Sequence, residues 1–119
     1  MTRHDDRARL RHMLTHAEEA AAMARGRDRD HLDTDRLLNL SLVRLLEVLG
    51  EAAAHVSPEG QRRLPEIPWP DIIGLRNRLI HGYDRVDFDI LWDIIQEDLP
   101  PLVAALRRIL SEEPAGPPP

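Results

Sequence analysis

Apolar residues recur along most of this chain at the three-to-four-residue spacing of a helix, and the polar gaps between them mark the connections. Leu10, Met13, Leu14, Ala17, Ala21 and Ala24 predict a first helix from about Asp5 to Arg25, with Gly26 as its C-cap. The charged segment GRDRDHLD that follows reads as a solvated loop. A second helix is predicted from Thr34 or Asp35 to about His55. Its leucines and valines, from Leu37 through Leu49, cover much more than one 100° stripe, so this helix should be central and touch neighbours on at least two sides. SPEGQRRLPEIPWP is a proline-punctuated connection, with Trp69 covering the core and Pro70 starting the next helix. Further on, Asp84 or Asp87 caps a helix carrying Ile90, Leu91, Ile94 and Ile95. Pro100 and Pro101 predict an end or kink near Asp98, before a last helix through Leu102, Val103, Leu106, Ile109 and Leu110. The pattern predicts an all-α, up-and-down bundle of four to five helices in a single domain over residues 1–111, with a disordered proline-rich tail over 112–119.

Between these elements lies IIGLRNRLIHGY, Ile72 to Tyr83, which reads as one helix stopped by Gly82. Ile72, Ile73, Leu75, Leu79 and Ile80 share one arc, and Arg76 projects inside it. A guanidinium on a core-facing arc calls for a partner, because an unpaired buried charge costs several kcal/mol. Glu47 and Glu51, four apart on the second helix, are the candidates. Asn77 and His81 are also four apart, which on a helix puts them on one face within hydrogen-bonding reach. His81 falls in the expected last turn, where the helix dipole favours a cation. Tyr83 follows immediately after the turn. Each residue alone has an ordinary structural explanation; together they concentrate a cation, an amide, an imidazole and a phenol at one helix end.

Composition narrows the options. The 119 residues are 42% apolar with four aromatic side chains, and leucine and alanine dominate, which favours helices. The absence of cysteine excludes disulfides and thiolate metal sites. No apolar run reaches membrane-spanning length, and the first dozen residues lack the apolar core of a signal peptide, so a cytoplasmic location without membrane contact is the default. A net charge of −5 argues against a general nucleic-acid coat but leaves room for a local cationic cleft. His12 and His16 are spaced i,i+4, but HMLTH lacks the glutamate of the zinc-protease signature, and no metal or other cofactor is expected. DRDHLD lacks the ligand spacing of a calcium loop.

Arg76, His81 and Tyr83 spell R-x4-H-x-Y. With GEA at Gly50 to Ala52, PWPDIIGLRN, HGY and the downstream VD, LW and DLP, the chain resembles the HepT-like ribonuclease toxins of the HEPN superfamily over roughly residues 37 to 110. That resemblance implies a homodimer whose motif helices meet at a shared cleft, and metal-independent endonucleolytic cleavage of RNA within a toxin–antitoxin pair. It implies Arg76, Asn77 and His81 as the catalytic set. It also implies a minimal nucleotidyltransferase as the antitoxin, with Tyr83 as a candidate acceptor of AMP. Other outcomes are a non-catalytic helical module that binds nucleotide or the nucleotidyltransferase, and a purely structural dimer in which Arg76 is locked in a salt bridge. The catalytic reading places Arg76 and His81 at a solvent-open cleft near a two-fold axis.

Overall fold

The computed structural model describes residues 4–81 and 85–112. It is an all-α fold with one two-stranded hairpin added. Helix α1 (His4–Ala24) buries Leu10, Met13, Ala17, Ala20 and Ala24, a regular 3-4-3-4 stripe. Gly26 takes a positive φ of 77° just beyond it, the conformation in which a glycine ends a helix most easily. Helix α3 (Arg36–Ala54) is the central one, packing on α1, on the short α2 (His31–Thr34), on α5 (Trp69–Ile73) and on α6 (Leu75–Leu79). Asp35 caps it by accepting from the Leu38 N–H at 3.0 Å.

Several connections are more ordered than the sequence pattern predicts. The charged GRDRDHLD stretch contains α2, and its Leu32 is fully buried. Asn39, itself buried on α3, donates to the Leu32 carbonyl at 2.9 Å and so satisfies a polar group that the loop would otherwise leave buried and bare. The proline-rich connection holds α4 (Pro58–Arg63), where Ser57 accepts from the Gly60 N–H and proline occupies the first turn. Asp6 of α1 is buried against this turn and accepts from both the Ser57 N–H (2.8 Å) and its hydroxyl (2.6 Å). Trp69 covers the core as expected, donating its indole N–H to the Leu64 carbonyl at 3.0 Å.

The end of the chain also differs in detail. Asp87 caps α7 (Phe88–Asp93), accepting from the N–H groups of Asp89 and Ile90. Of the end or kink expected near Asp98, no end is seen: the chain stays helical through Pro100 and Pro101, with an irregular turn at that place. A π-helical turn (Ile94–Asp98) leads into α8 (Leu99–Glu112), and the Leu99 N–H reaches back five residues to the Ile94 carbonyl. Widening the turn just before two residues without N–H groups lets both prolines sit in the first turn of α8, where no such donor is needed. Leu99, Leu102, Leu106 and Ile109 then close the core against α1.

Candidate functional site

The segment that carries the candidate residues is not a single helix. Helix α5 ends at Ile73, Gly74 forms a kink, and α6 resumes at Leu75 and ends at Leu79. A Cβ at Gly74 would stand 3.0 Å from the Pro70 carbonyl oxygen, tight enough to explain a glycine there. Ile80 is already extended (φ −99°, ψ 116°). Ile80–His81 forms β1, pairing antiparallel with β2 (Arg85–Val86) in the register Ile80 to Val86 and His81 to Arg85. The Asp87 N–H donates to the Leu79 carbonyl at 2.9 Å and ties the base of the hairpin to the helix end. A β-branched residue that finds a strand partner has little reason to remain in a fraying last turn.

Three expectations change as a result. The helix stops three residues before Gly82, so His81 is a strand residue and the helix-end placement does not hold. Asn77 and His81 consequently do not share a helical face; the His81 Nε2 instead lies 3.1 Å from the carbonyl oxygen of Arg78. Arg76 is not buried on the apolar arc. A wheel drawn straight through residues 72–81 ignores the kink, and the buried stripe that forms is the narrower set Trp69, Ile72, Leu75 and Leu79. Ile73 is left 38% exposed, and the Arg76 side chain is 69% exposed. Gly82 and Tyr83 lie outside the described residues.

The expected link to α3 does form. Arg76 Nε lies 3.3 Å from Glu47 Oε2, while Glu51 remains exposed nearby. Both acids, with Gly50, Ile73, Arg76 and Asn77, line a recess of about 480 Å³ between α3 and the kinked helix. Gly50 makes that packing possible: a Cβ there would meet the Ile72 carbonyl oxygen at 2.9 Å. On the other side of α6, Arg78 pairs with Asp98 of the π-helical turn at 3.0 Å. The fully buried Leu75 and Leu79 contribute most of the hold on this five-residue helix, at about 1.5–3 kcal/mol each, because a helix this short has no stability of its own.

His81 opens on a different recess, about 330 Å³, which it shares with Arg29, Arg85, Val86, Asp87 and Phe88. Arg76 and Asn77 thus line one recess and His81 another. Arg29 donates to Asp89 at 2.6 Å and to Asp33 at 3.1 Å, and lies over the Phe88 ring at 5.9 Å from its centroid. The bond to Asp89 foremost, helped by Asp33, raises the Arg29 pKa above its ordinary value. The sequence reading did not single out Arg29, Arg85 or Phe88, which come together only through the hairpin. A further cleft of about 410 Å³, bordered by Glu66, Asp71, Arg78, Glu97 and Asp98, holds none of the candidate residues.

Among the described residues no group of three or more histidine, cysteine or acidic side chains is arranged to hold a metal ion. His16 Nδ1 lies 2.7 Å from the His12 carbonyl oxygen on its own helix. No helix among the described residues is long and apolar enough to cross a membrane.

Comparison with known proteins fits this architecture. The chain is 31% identical over 100 residues to a candidate RNase of Methanocaldococcus jannaschii, covering 84% of this chain and 92% of the relative. It is 32% identical over 104 residues to a candidate RNase of Caldanaerobacter subterraneus subsp. tengcongensis, covering 87% and 93%. A probable ribonuclease HepT of Thermococcus cleftensis is 35% identical over 75 residues, 63% of this chain and 68% of that one. No solved structure matches with significance. The ribonuclease HepT-like family model matches residues 13–109, most of the described core, and the chain belongs to that family.

Proposed function

We propose that this chain is an endoribonuclease toxin that cleaves RNA without a metal ion, using Arg76, Asn77 and His81 at a cleft shared by two copies of the chain. The observation that carries the reading is the division of labour along α6 and β1. Leu75 and Leu79 are buried, whereas Arg76, Asn77 and His81, on the same short segment, are all exposed to solvent. Attack of an RNA 2′-hydroxyl on its own phosphate needs a base, an acid and a stabiliser of the developing charge. His81 moves protons, Arg76 neutralises the pentacoordinate phosphate, and Asn77 orients substrate or imidazole. One chain supplies a single histidine here, so a two-fold arrangement of two chains completes the pair that acid and base catalysis requires.

The resemblance extends the reading to a partner. A nucleotidyltransferase-type antitoxin transfers AMP from ATP to the Tyr83 hydroxyl, with loss of the phenol proton and release of pyrophosphate, and the added bulk and negative charge block the approach of an RNA phosphate. Mass analysis of wild type and Tyr83→Phe after incubation with the partner and ATP tests this step, and a mass gain that persists in Tyr83→Phe rules it out.

Cleavage itself is tested by incubating RNA with wild type and His81→Ala in the presence of EDTA. Cutting by wild type alone is the expected result. Equal cutting by both proteins overturns the role of His81, and loss of cutting in EDTA overturns metal independence. RNA or nucleotide binding without any cutting would identify a non-catalytic module instead.

A further inference from the structure

The hairpin places a second cation beside His81 that the motif does not contain. His81 and Arg85 are directly opposed in the antiparallel register, so their side chains leave the same face of the ribbon with Cβ atoms about 4.5–5.5 Å apart. Both are exposed and both line the 330 Å³ recess. Its other charged groups are already engaged. Arg29 is held by Asp89 and Asp33, and Asp87 turns its carboxylate onto the N–H groups that start α7. Among the described residues Arg85 has no ion pair, and its side chain is exposed. The half-buried Phe88 ring also borders the recess, with Arg29 over it.

An exposed guanidinium and an imidazole side by side on one small recess suit the phosphate of a single strand. We propose that Arg85 is a phosphate-binding residue of the RNA site. It holds the strand at the phosphate on which His81 acts or at its neighbour. The placement next to the reacting phosphate rests on the reading of His81 given above, but the binding role does not. Arg76 lines the other recess, where it pairs with Glu47.

The test uses the full chain and a single-stranded RNA oligonucleotide made entirely of 2′-O-methyl residues, which cannot be cut by 2′-hydroxyl attack. Binding is followed by fluorescence anisotropy over a range of salt concentrations for wild type, Arg85→Gln, Arg85→Lys and Arg107→Gln. The last removes one charge from a surface ion pair of α8 with Glu18 and corrects for net charge. Arg85→Gln is expected to weaken binding roughly tenfold and to lower the slope of log affinity against log salt by about 0.7, the share of one phosphate contact on a single strand. Arg85→Lys should restore the slope, and Arg107→Gln should leave it unchanged. Because Arg85 is exposed, circular dichroism of each variant should match wild type, and the lysine variant keeps the comparison decisive if glutamine disturbs the ribbon. No binding by wild type, or a slope in Arg85→Gln equal to that of wild type, overturns the proposal. Binding that depends on Arg85 in a protein that cuts no unmodified RNA supports it while removing the nuclease reading. Cleavage that is unaffected in Arg85→Gln, with unaffected binding, removes this proposal and leaves the nuclease reading in place.

Discussion

The Nε of Arg76 lies 3.3 Å from the Glu47 carboxylate, so a largely solvent-facing guanidinium on α6 is tied to a better-covered acid on α3. The Arg76 side chain is 69% exposed and that of Glu47 23%. An ion pair this open contributes about 0–1 kcal/mol to stability. Its larger effect is on where the guanidinium points.

Glu47→Gln separates the two effects. The melting temperature should move by no more than a few degrees, as for a pair worth about 1 kcal/mol or less. If Arg76 must meet a phosphate in a fixed pose, RNA cleavage should nevertheless fall by about ten- to a hundredfold, the scale of a small misplacement. Matched measurements of thermal unfolding and kcat/KM check this. A variant with wild-type kcat/KM would show that Glu47 does not position Arg76.

Gly50 sets how close the kinked helix comes to α3. With a Cβ only 2.9 Å from a backbone oxygen, Gly50→Ala must push α5 away, since no flexible side chain is there to yield. The expected cost is about 1–3 kcal/mol, read as a lower urea midpoint. The same displacement should widen the recess of Arg76 and Asn77 and reduce cleavage by more than the loss of folded protein explains. Gly26→Ala, where the added carbon meets nothing, strains only the backbone and should leave specific activity unchanged.

The helical pattern carried the fold because each of α1, α3 and α8 buries a stripe drawn mainly from the apolar positions that the spacing picks out, such as Leu10, Met13 and Ala17, or Leu102, Leu106 and Ile109. The periodicity overstated α3 at its start, where Leu37 and Leu40 are 76% and 51% exposed. What sequence could not show was local geometry set by tertiary contacts. Gly74 reads as a tolerated helix glycine until the approach of the Pro70 carbonyl is known. Ile80 reads as helix until Val86 is found beside it. Arg76, Asn77 and His81 stand out by residue type and spacing, and the resemblance is what names them as a catalytic set, whereas the recess that each one lines follows from the kink and the hairpin. Arg85 had no periodic signal at all, because it acquires its neighbour across a ribbon of two residues per strand.

Acid should weaken the start of α3. The Leu38 N–H foremost, then the Arg27 guanidinium, hold the Asp35 carboxyl below its ordinary value of 3.8. A carboxylate with a lowered folded-state pKa contributes stability above the unfolded value and loses it as pH falls through the lower folded one. The contribution is therefore intact at neutral pH and fades from just under pH 4 downward. Urea midpoints for wild type and Asp35→Asn should differ at pH 7 and converge as the pH drops below that point. A gap that stays constant across this range would mean that the charge of Asp35 is not what caps the helix.

The proposal that two chains share one cleft has a direct test, because it needs the His81 of both chains at one phosphate. His81→Ala is expected to be inactive. Mixed with an equal amount of wild type and allowed to exchange, it should form mixed dimers as about half of the population if the dimer reassorts at random between its two-fold related chains. A mixed dimer carries one His81, so a cleft that takes its acid and its base from two chains does not cut. Wild-type dimers, about a quarter of the population, are then the active species. If each chain cuts with its own residues, a mixed dimer keeps one working site and the mixture retains about half of the wild-type rate. Cleavage of a labelled RNA by the mixture, compared with wild type at the same total concentration, distinguishes the two. Native mass spectrometry of the mixture shows whether mixed dimers formed. Mixed dimers with half of the wild-type activity would end the proposal that two chains share one cleft.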